Sequence, residues 1–232
     1  MTFRNELKYL VNHQQRAVIS KRLSLLCQPD SHARENGQYT VSSLYFDDFE
    51  NNNFATKMAG YSSKKKFRIR IYNGRDTVIK LERKIKEDRG VKKDSIQISR
   101  AEYEDILAGN LGHDFSVEHP AKNDFYRLQR MRRLAPRIVV TYDRLVYTYP
   151  YGDVRLCFDT VLRTPKTGND LFKQSLNQVV MASNQAIFEV KYTGFLPETI
   201  KTAIQSGFGT KQAYSKYTQC MLTARKGYHN DI

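Results

Sequence analysis

The chain has 232 residues, 40% of them hydrophobic, with 38 Lys and Arg against 24 Asp and Glu and a formal charge of +14. That balance excludes a largely disordered chain and asks for an anionic partner: nucleic acid, an anionic membrane surface or a phosphate-rich small molecule. No run reaches the roughly 18 apolar residues of a membrane span and no apolar signal core opens the chain, so a cytoplasmic protein is expected.

FRNELKY at 3–9 alternates Phe3, Asn5, Leu7 and Tyr9 with Arg4, Glu6 and Lys8, a strand with one charged face. Asn12 caps a helix to about Leu26, ended by Pro29. A strand follows at 38–48, then a short helix capped by Asp48 and running to about Met58. Strands at 64–73, 76–86 and 91–99, with turn signals at Asn73-Gly74 and Arg89-Gly90, form an antiparallel meander. Ser99 with Glu102 opens a helix to about Ala108, and another fills 122–134 before Pro136. A hairpin of strands at 136–149 and 153–163 turns at Pro150-Tyr151-Gly152. After a loop with a short strand near 178–181 come a strand at 186–194, a helix from Pro197 to about Gln205 and a terminal helix over 214–226. Eight strands in short antiparallel connections, with helices inserted, predict an α+β fold built on an eight-stranded antiparallel β-barrel, one domain over 1–232, with helices packed around the outside.

The charged face of the first strand recurs. Lys66, Arg68 and Arg70 stand opposite Phe67, Ile69 and Ile71; Lys80, Glu82 and Lys84 opposite Ile79, Leu81 and Ile85; Glu189 and Lys191 opposite Phe188, Val190 and Tyr192. Tyr142 shares a side with Arg144, and Arg155 with Cys157 and Asp159. Solvated faces normally mix neutral polar residues with both signs of charge, whereas these are cationic with isolated carboxylates. Like charges side by side in a sheet are unfavourable unless something lies between them. Two geometries are open: a basic outer sheet, as a nucleic-acid binder carries, or a cationic tunnel whose apolar exterior is covered by helices. The amphipathic helices favour the tunnel, and without an aromatic R-G-x-F type motif no nucleic acid is expected. Cys27, Cys157 and Cys220, and His13, His32, His113, His119 and His229, are too scattered for a zinc site or a histidine-based catalytic site.

R-x-E-x-K-Y at 4–9, L-Y-F-D at 44–47, K-x-R-x-R at 66–70, E-R-K at 82–84, Y-D-R at 142–144, F-E-V-K-Y at 188–192 and Y-S-K-Y at 214–217 together resemble the VTC polyphosphate polymerase domain. That family belongs to the triphosphate tunnel metalloenzymes, with the CYTH phosphatases and cyclases. The resemblance implies a tunnel that binds a triphosphate end on and transfers the γ-phosphate of ATP to a growing polyphosphate, aided by Mn²⁺ or Mg²⁺. It implies Lys8, Arg68, Arg70, Lys84 and Lys216 as catalytic residues. Arg4, Lys66, Lys80, Lys92, Tyr142, Arg144, Arg155 and Lys191 would bind phosphate, with Lys92 rather than Lys93 facing inward. Glu189, Glu6 and Glu82 would hold the metal. Asp159 is either a further ligand or the partner of Arg155. The chain departs from the CYTH pattern at Arg4, where a first Glu is usual, and from the VTC pattern at Ala213, where a Lys ahead of S-K is common; Lys211 is near but not equivalent. A metal-dependent triphosphatase and a non-catalytic polyphosphate or nucleotide binder are the alternatives, and a membrane-protein partner is compatible with each.

Overall fold

The computed structural model describes residues 4–30, 37–61, 65–87, 90–110, 119–132, 134–173, 177–205 and 214–230. The strands are β1 (Asn5–Asn12), β2 (Gln28–Pro29), β3 (Gln38–Asp47), β4 (Lys65–Tyr72), β5 (Arg75–Glu87), β6 (Gly90–Ile98), β7 (Ala135–Tyr149), β8 (Val154–Pro165), β9 (Asn177–Val179) and β10 (Gln185–Tyr192). The helices are α1 (His13–Leu26), α2 (Asn52–Met58), α3 (Arg100–Ala108), α4 (Pro120–Arg132), α5 (Glu198–Gln205) and α6 (Lys216–Asn230).

All pairings are antiparallel, and the main path runs β1-β10-β8-β7-β3-β4-β5-β6, with β2 added to β7 and β9 to β8. The α+β class, the meander and the long hairpin are as expected. A closed barrel is not what the described ladders form: the sheet is an open path whose ends, β1 and β6, meet at one bridge, Arg4 to Val91. It is nonetheless strongly curled, because Lys84 Nζ of β5 reaches Glu6 Oε2 of β1 at 2.9 Å although β6 lies between them in strand order.

The apolar faces look outward and are covered by helices. Ile19 and Leu23 of α1 and Ile200, Ala203 and Ile204 of α5 pack on Val11, Leu156, Phe158, Phe188 and Val190. Tyr103 and Ile106 of α3 and Phe125 and Tyr126 of α4 pack on Phe46, Phe67, Ile69, Ile79 and Leu81. Each of these side chains is 6% exposed or less, apart from Ala203 at 8%; burying a large apolar side chain contributes about 1.5–3 kcal/mol, so turning these strands over would forfeit most of the core. The inner face is mixed. Tyr217, Cys220 and Met221 of α6 pack on its apolar part, Tyr142, Val146, Cys157 and Ile187, and leave the charged part beside the start of the helix.

Local chemistry explains most boundaries. Asn12 caps α1 by accepting from Gln15 N, and Gln15 returns the bond to Asn12 N, a reciprocal capping box. Helix α2 starts later than Asp48 because Asn51 adopts the left-handed conformation, φ 56°; the carboxylates of Asp48 and Asp47 instead accept from the first free N–H groups, of Asn52, Asn53 and Phe54. Helix α4 begins at Pro120, a residue suited to the first helical turn. In β8 a bulge shifts the register against β7, and Val161 within it holds φ 49°, a conformation a β-branched residue adopts only under strain.

Candidate functional site

The charged side chains converge on the inner face because strand alternation directs them there once the apolar faces are fixed. On β4 and β5 the register sets Lys66 against Lys84, Arg68 against Glu82 and Arg70 against Lys80. On β1 and β10 it sets Lys8 against Glu189 and Glu6 against Lys191. Lys216, the first residue of α6, enters from the end and donates to Glu189 Oε1 at 2.6 Å, with Asp159 Oδ2 also at 2.6 Å.

Each inner carboxylate is engaged by cations. Lys216 and Lys191 contact different oxygens of Glu189, Lys191 at 2.7 Å, while Lys8 and Arg144 stand at 3.5 and 3.4 Å. Burial alone would raise the Glu189 pKa; Lys191, Lys216, Lys8 and Arg144 hold it well below the usual carboxylate range. Asp159, fully buried, accepts two bonds from Arg144 and is likewise held low by Arg144 and Lys216 against burial. Glu6 falls to about 2, as Lys8, Lys84 and Lys191 outweigh burial and the nearby Glu189. Glu82 is clamped by Arg68 at 2.6 Å and Lys93 at 2.5 Å, which lower its pKa against burial.

Not every cation is answered. Arg70 is 6% exposed, yet its hydrogen bonds go to neutral oxygens, Ser43 Oγ at 3.0 Å and Tyr142 Oη at 3.3 Å, with Glu82 only at 4.0 Å. Lys80, opposite Arg70, and Lys66 have no ion-pair partner among the described residues; Lys66 sits 5.7 Å from the Tyr217 ring. Burial, with Lys57 and Lys84 nearby, pulls the Lys66 pKa down. A buried guanidinium beside an unpaired ammonium is costly unless an anion arrives.

The structure redistributes several of the expected residues. Lys92 lies on the opposite face, in register with Ile85, and Lys93 takes the inner position against Lys84. The Glu87 to Gly90 pairing fixes this register, so counting back from the turn signal at Arg89-Gly90 would have selected Lys93. Burial and the neighbouring Arg68 and Arg70, opposed by Glu82, bring Lys93 down to about 8. Arg4 and Arg155 lie at the rim and are already neutralised, Arg4 by Asp153 at 3.1 Å and Arg155 by Asp30, with Tyr39 Oη at 3.0 Å from Arg155. Asp159 is therefore the partner of Arg144, not of Arg155, and Arg144 is committed to it. Tyr142 has its hydroxyl on Arg70 and its ring 4.9 Å from Lys216.

Tyr45, within the L-Y-F-D stretch but not singled out by alternation, accepts from Arg68 Nη1 at 2.9 Å. Burial would raise its pKa; Arg68, Arg70 and Lys216 bring it to about 8. Asp47 of the same stretch ties α6 to β3 by accepting from the Tyr217 hydroxyl at 2.8 Å. Ala213 and Lys211 lie outside the described residues. Among the described residues no three acidic, His or Cys side chains gather as a metal cluster, the three cysteines are free thiols, and no helix is long and apolar enough to cross a membrane.

Among solved structures, the chain is similar to the PH1819 protein from Pyrococcus horikoshii OT3, at 15% identity and TM-score 0.49 over 95% of this chain and 99% of that one. It is similar to a putative adenylate cyclase from Bacillus halodurans at 16% and 0.47, over 88% and 87%, and to a chain of the Schizosaccharomyces pombe Mediator head module at 9% and 0.47, over 99% and 95%. Comparison with curated proteins finds no match. The VTC domain family model matches residues 3–225, nearly the whole length, and the chain belongs to the VTC domain family.

Proposed function

We propose that this chain is a single-domain, divalent-metal-dependent polyphosphate polymerase that moves the γ-phosphate of cytoplasmic ATP onto a growing polyphosphate. The observation that carries the reading is the buried Arg70 guanidinium without a close carboxylate, opposite the unpaired Lys80, with Lys66 further along the same face of β4. Phosphoryl transfer needs positioning and charge stabilisation more than a protein nucleophile, since the acceptor chain's terminal phosphate can attack.

Arg70, Lys80 and Lys66 bind equatorial phosphate oxygens. Arg68 is held in line by Glu82 on one side and Tyr45 on the other, which fixes a planar fork for a further oxygen. Lys8, Lys84 and Lys191 border the same space, and Lys216 is steadied by Asp159 and Glu189 so that its ammonium stays charged.

The donor set fits a metal. Glu6 and Glu189 share two ammonium groups, Lys8 at 3.6 and 3.5 Å and Lys191 at 3.9 and 2.7 Å, so two hard-oxygen donors flank one volume that a cation already prefers. Mg²⁺ and Mn²⁺ suit one or two carboxylates completed by phosphate oxygens and water. Such an ion supplies neutralisation of phosphate charge when bound. Glu82, taken on both oxygens by Arg68 and Lys93, serves to hold Arg68.

The test is incubation of the purified protein with ATP and Mn²⁺, followed by phosphorus NMR and a polyphosphate gel. A ladder of chains is expected. Orthophosphate alone would make the chain a triphosphatase, and phosphate binding without turnover a binding module; either overturns the polymerase. Glu189→Gln is expected to abolish turnover while tripolyphosphate still binds, and unchanged turnover in that variant removes Glu189 from the metal.

A further inference from the structure

The outer face carries a cationic cleft of its own. Arg83 of β5 stands in register with Phe67 and Asp94, so it projects on the helix-covered side of the sheet, away from Arg68, Glu82 and Lys84. Lys65, the first residue of β4, projects the same way. There both meet α4, whose Phe125 packs on Phe67. Between the helix and the two strands opens a cleft of about 540 Å³ walled by Lys65, Arg83, Asp124, Arg127, Arg130 and Met131, with four cations and one carboxylate in its described lining.

That carboxylate is shared three ways. Lys65 Nζ lies 2.7 Å and Arg83 Nη1 3.0 Å from Asp124 Oδ2, and Arg127 donates from Nη2 to Oδ1 at 2.8 Å. Burial would raise the Asp124 pKa, but Lys65, Arg127 and Arg83 hold it below its ordinary value, so it stays charged and gathers the cations. Arg83 has a second carboxylate in Asp94 and reaches the Pro120 carbonyl at 3.2 Å, which pins the start of α4 to the sheet and makes Arg83 a fixed floor. Arg127 is different: its side chain is 57% exposed and spends one donor, Nη2, on Asp124. Arg130 follows at i+3, on the same side of the helix, and is exposed. Two guanidinium forks one turn apart, above a floor where one negative charge serves three cations, suit adjacent phosphate groups that each accept paired N–H donors.

We propose that this cleft is a second oligophosphate site, on the opposite face of the sheet from Arg70. It does not depend on the polymerase reading. The recess suits a soluble phosphate chain better than a lipid surface: Arg83 and Asp124 at its floor are 11% and 8% exposed, and Met131 is the one apolar side chain in its described lining. A phosphate chain carries charge on every unit and brings several charges into one cleft, whereas the carboxylates of an acidic peptide are spread along its backbone.

Calorimetric titration with inorganic tripolyphosphate at low ionic strength tests this. Two classes of site are expected in the unaltered protein. Arg127→Gln with Arg130→Gln should weaken one class about ten-fold, the scale of one strong charge contact, and leave the other unchanged; Lys66→Gln with Lys80→Gln should do the converse. Because Arg127 and Arg130 are exposed, the melting temperature of their double variant should stay within about 2 °C of the unaltered protein. A single class of site that Arg127→Gln with Arg130→Gln leaves untouched overturns the inference and leaves the inner-face reading standing. Binding of no tripolyphosphate at all overturns both. Hexa-aspartate held at the outer site as tightly as tripolyphosphate, or binding to phosphatidic acid vesicles that tripolyphosphate does not displace, overturns the assignment to a soluble phosphate chain.

Discussion

Lys216→Met cuts the ionic link between α6 and the carboxylates of β8 and β10. The ammonium lies 2.6 Å from both Asp159 and Glu189, and the three side chains are 9%, 0% and 4% exposed. Removing one partner of a buried ion pair costs about 3–5 kcal/mol. Asp159 keeps two bonds from Arg144 and Glu189 keeps Lys191, so the lower end applies, about 3 kcal/mol. At about 2–4 °C per kcal/mol for a chain of this size, the melting temperature drops by about 6–12 °C at pH 7. The pH dependence separates charge from packing. Lys216 has a raised pKa, so its contribution is whole below about pH 10 and lost only as pH rises through the folded value. Asp159 and Glu189 are depressed, so theirs is present above about pH 4 and lost as pH falls through the folded values. Without Lys216 both carboxylates titrate at higher pH than in the unaltered protein, so the altered native state takes up protons first and its deficit narrows as pH falls below about 4. Thermal melts followed by far-ultraviolet circular dichroism read both quantities. A drop below about 2 °C at pH 7, or a deficit that stays constant as pH falls below about 4, refutes the network as the cause.

Lys66→Gln and Lys80→Gln should each weaken tripolyphosphate binding about ten-fold, one strong charge contact, without lowering the melting temperature, since neither loses an ion pair; a melting point that falls with affinity contradicts this assignment. Tripolyphosphate affinity should decline as pH rises through about 8, where Tyr45 gains a negative charge and Lys93 loses a positive one, and the pair of changes Tyr45→Phe with Lys93→Gln should flatten that limb in titrations from pH 7 to 9. Val161→Asn, at a position 43% exposed with φ 49°, should raise the melting temperature by about 2–4 °C by admitting a residue that tolerates the left-handed region, checked by calorimetry.

The sidedness of the strands was legible because alternation is a local property: Phe67, Ile69 and Ile71 could only face a core, so Lys66, Arg68 and Arg70 had to face the other way. Pairing was not legible, because counter-ions come from far along the chain. Asp153 reaches Arg4, Asp30 reaches Arg155, and Lys216 crosses to Asp159, none of which periodicity can predict. The choice between Lys92 and Lys93 rests on a single register count across a hairpin, and a slip of one residue turns the wrong ammonium inward. Tyr45 escaped because a tyrosine in a strand reads as core until an arginine is found on its hydroxyl.

The meeting of β1 with β6 gives the wall two kinds of mechanical character. Along the rest of the main path neighbouring strands are stitched by extended backbone ladders, neutral and indifferent to ionic strength. At this meeting, among the described residues, one bridge and the clasp of Lys84 on Glu6 hold the sides together, and an ion pair with both partners partly open to water slackens as salt screens it. The curled sheet therefore has one compliant line where its two ends meet, and that line runs past the same ammonium group that an incoming anion would claim.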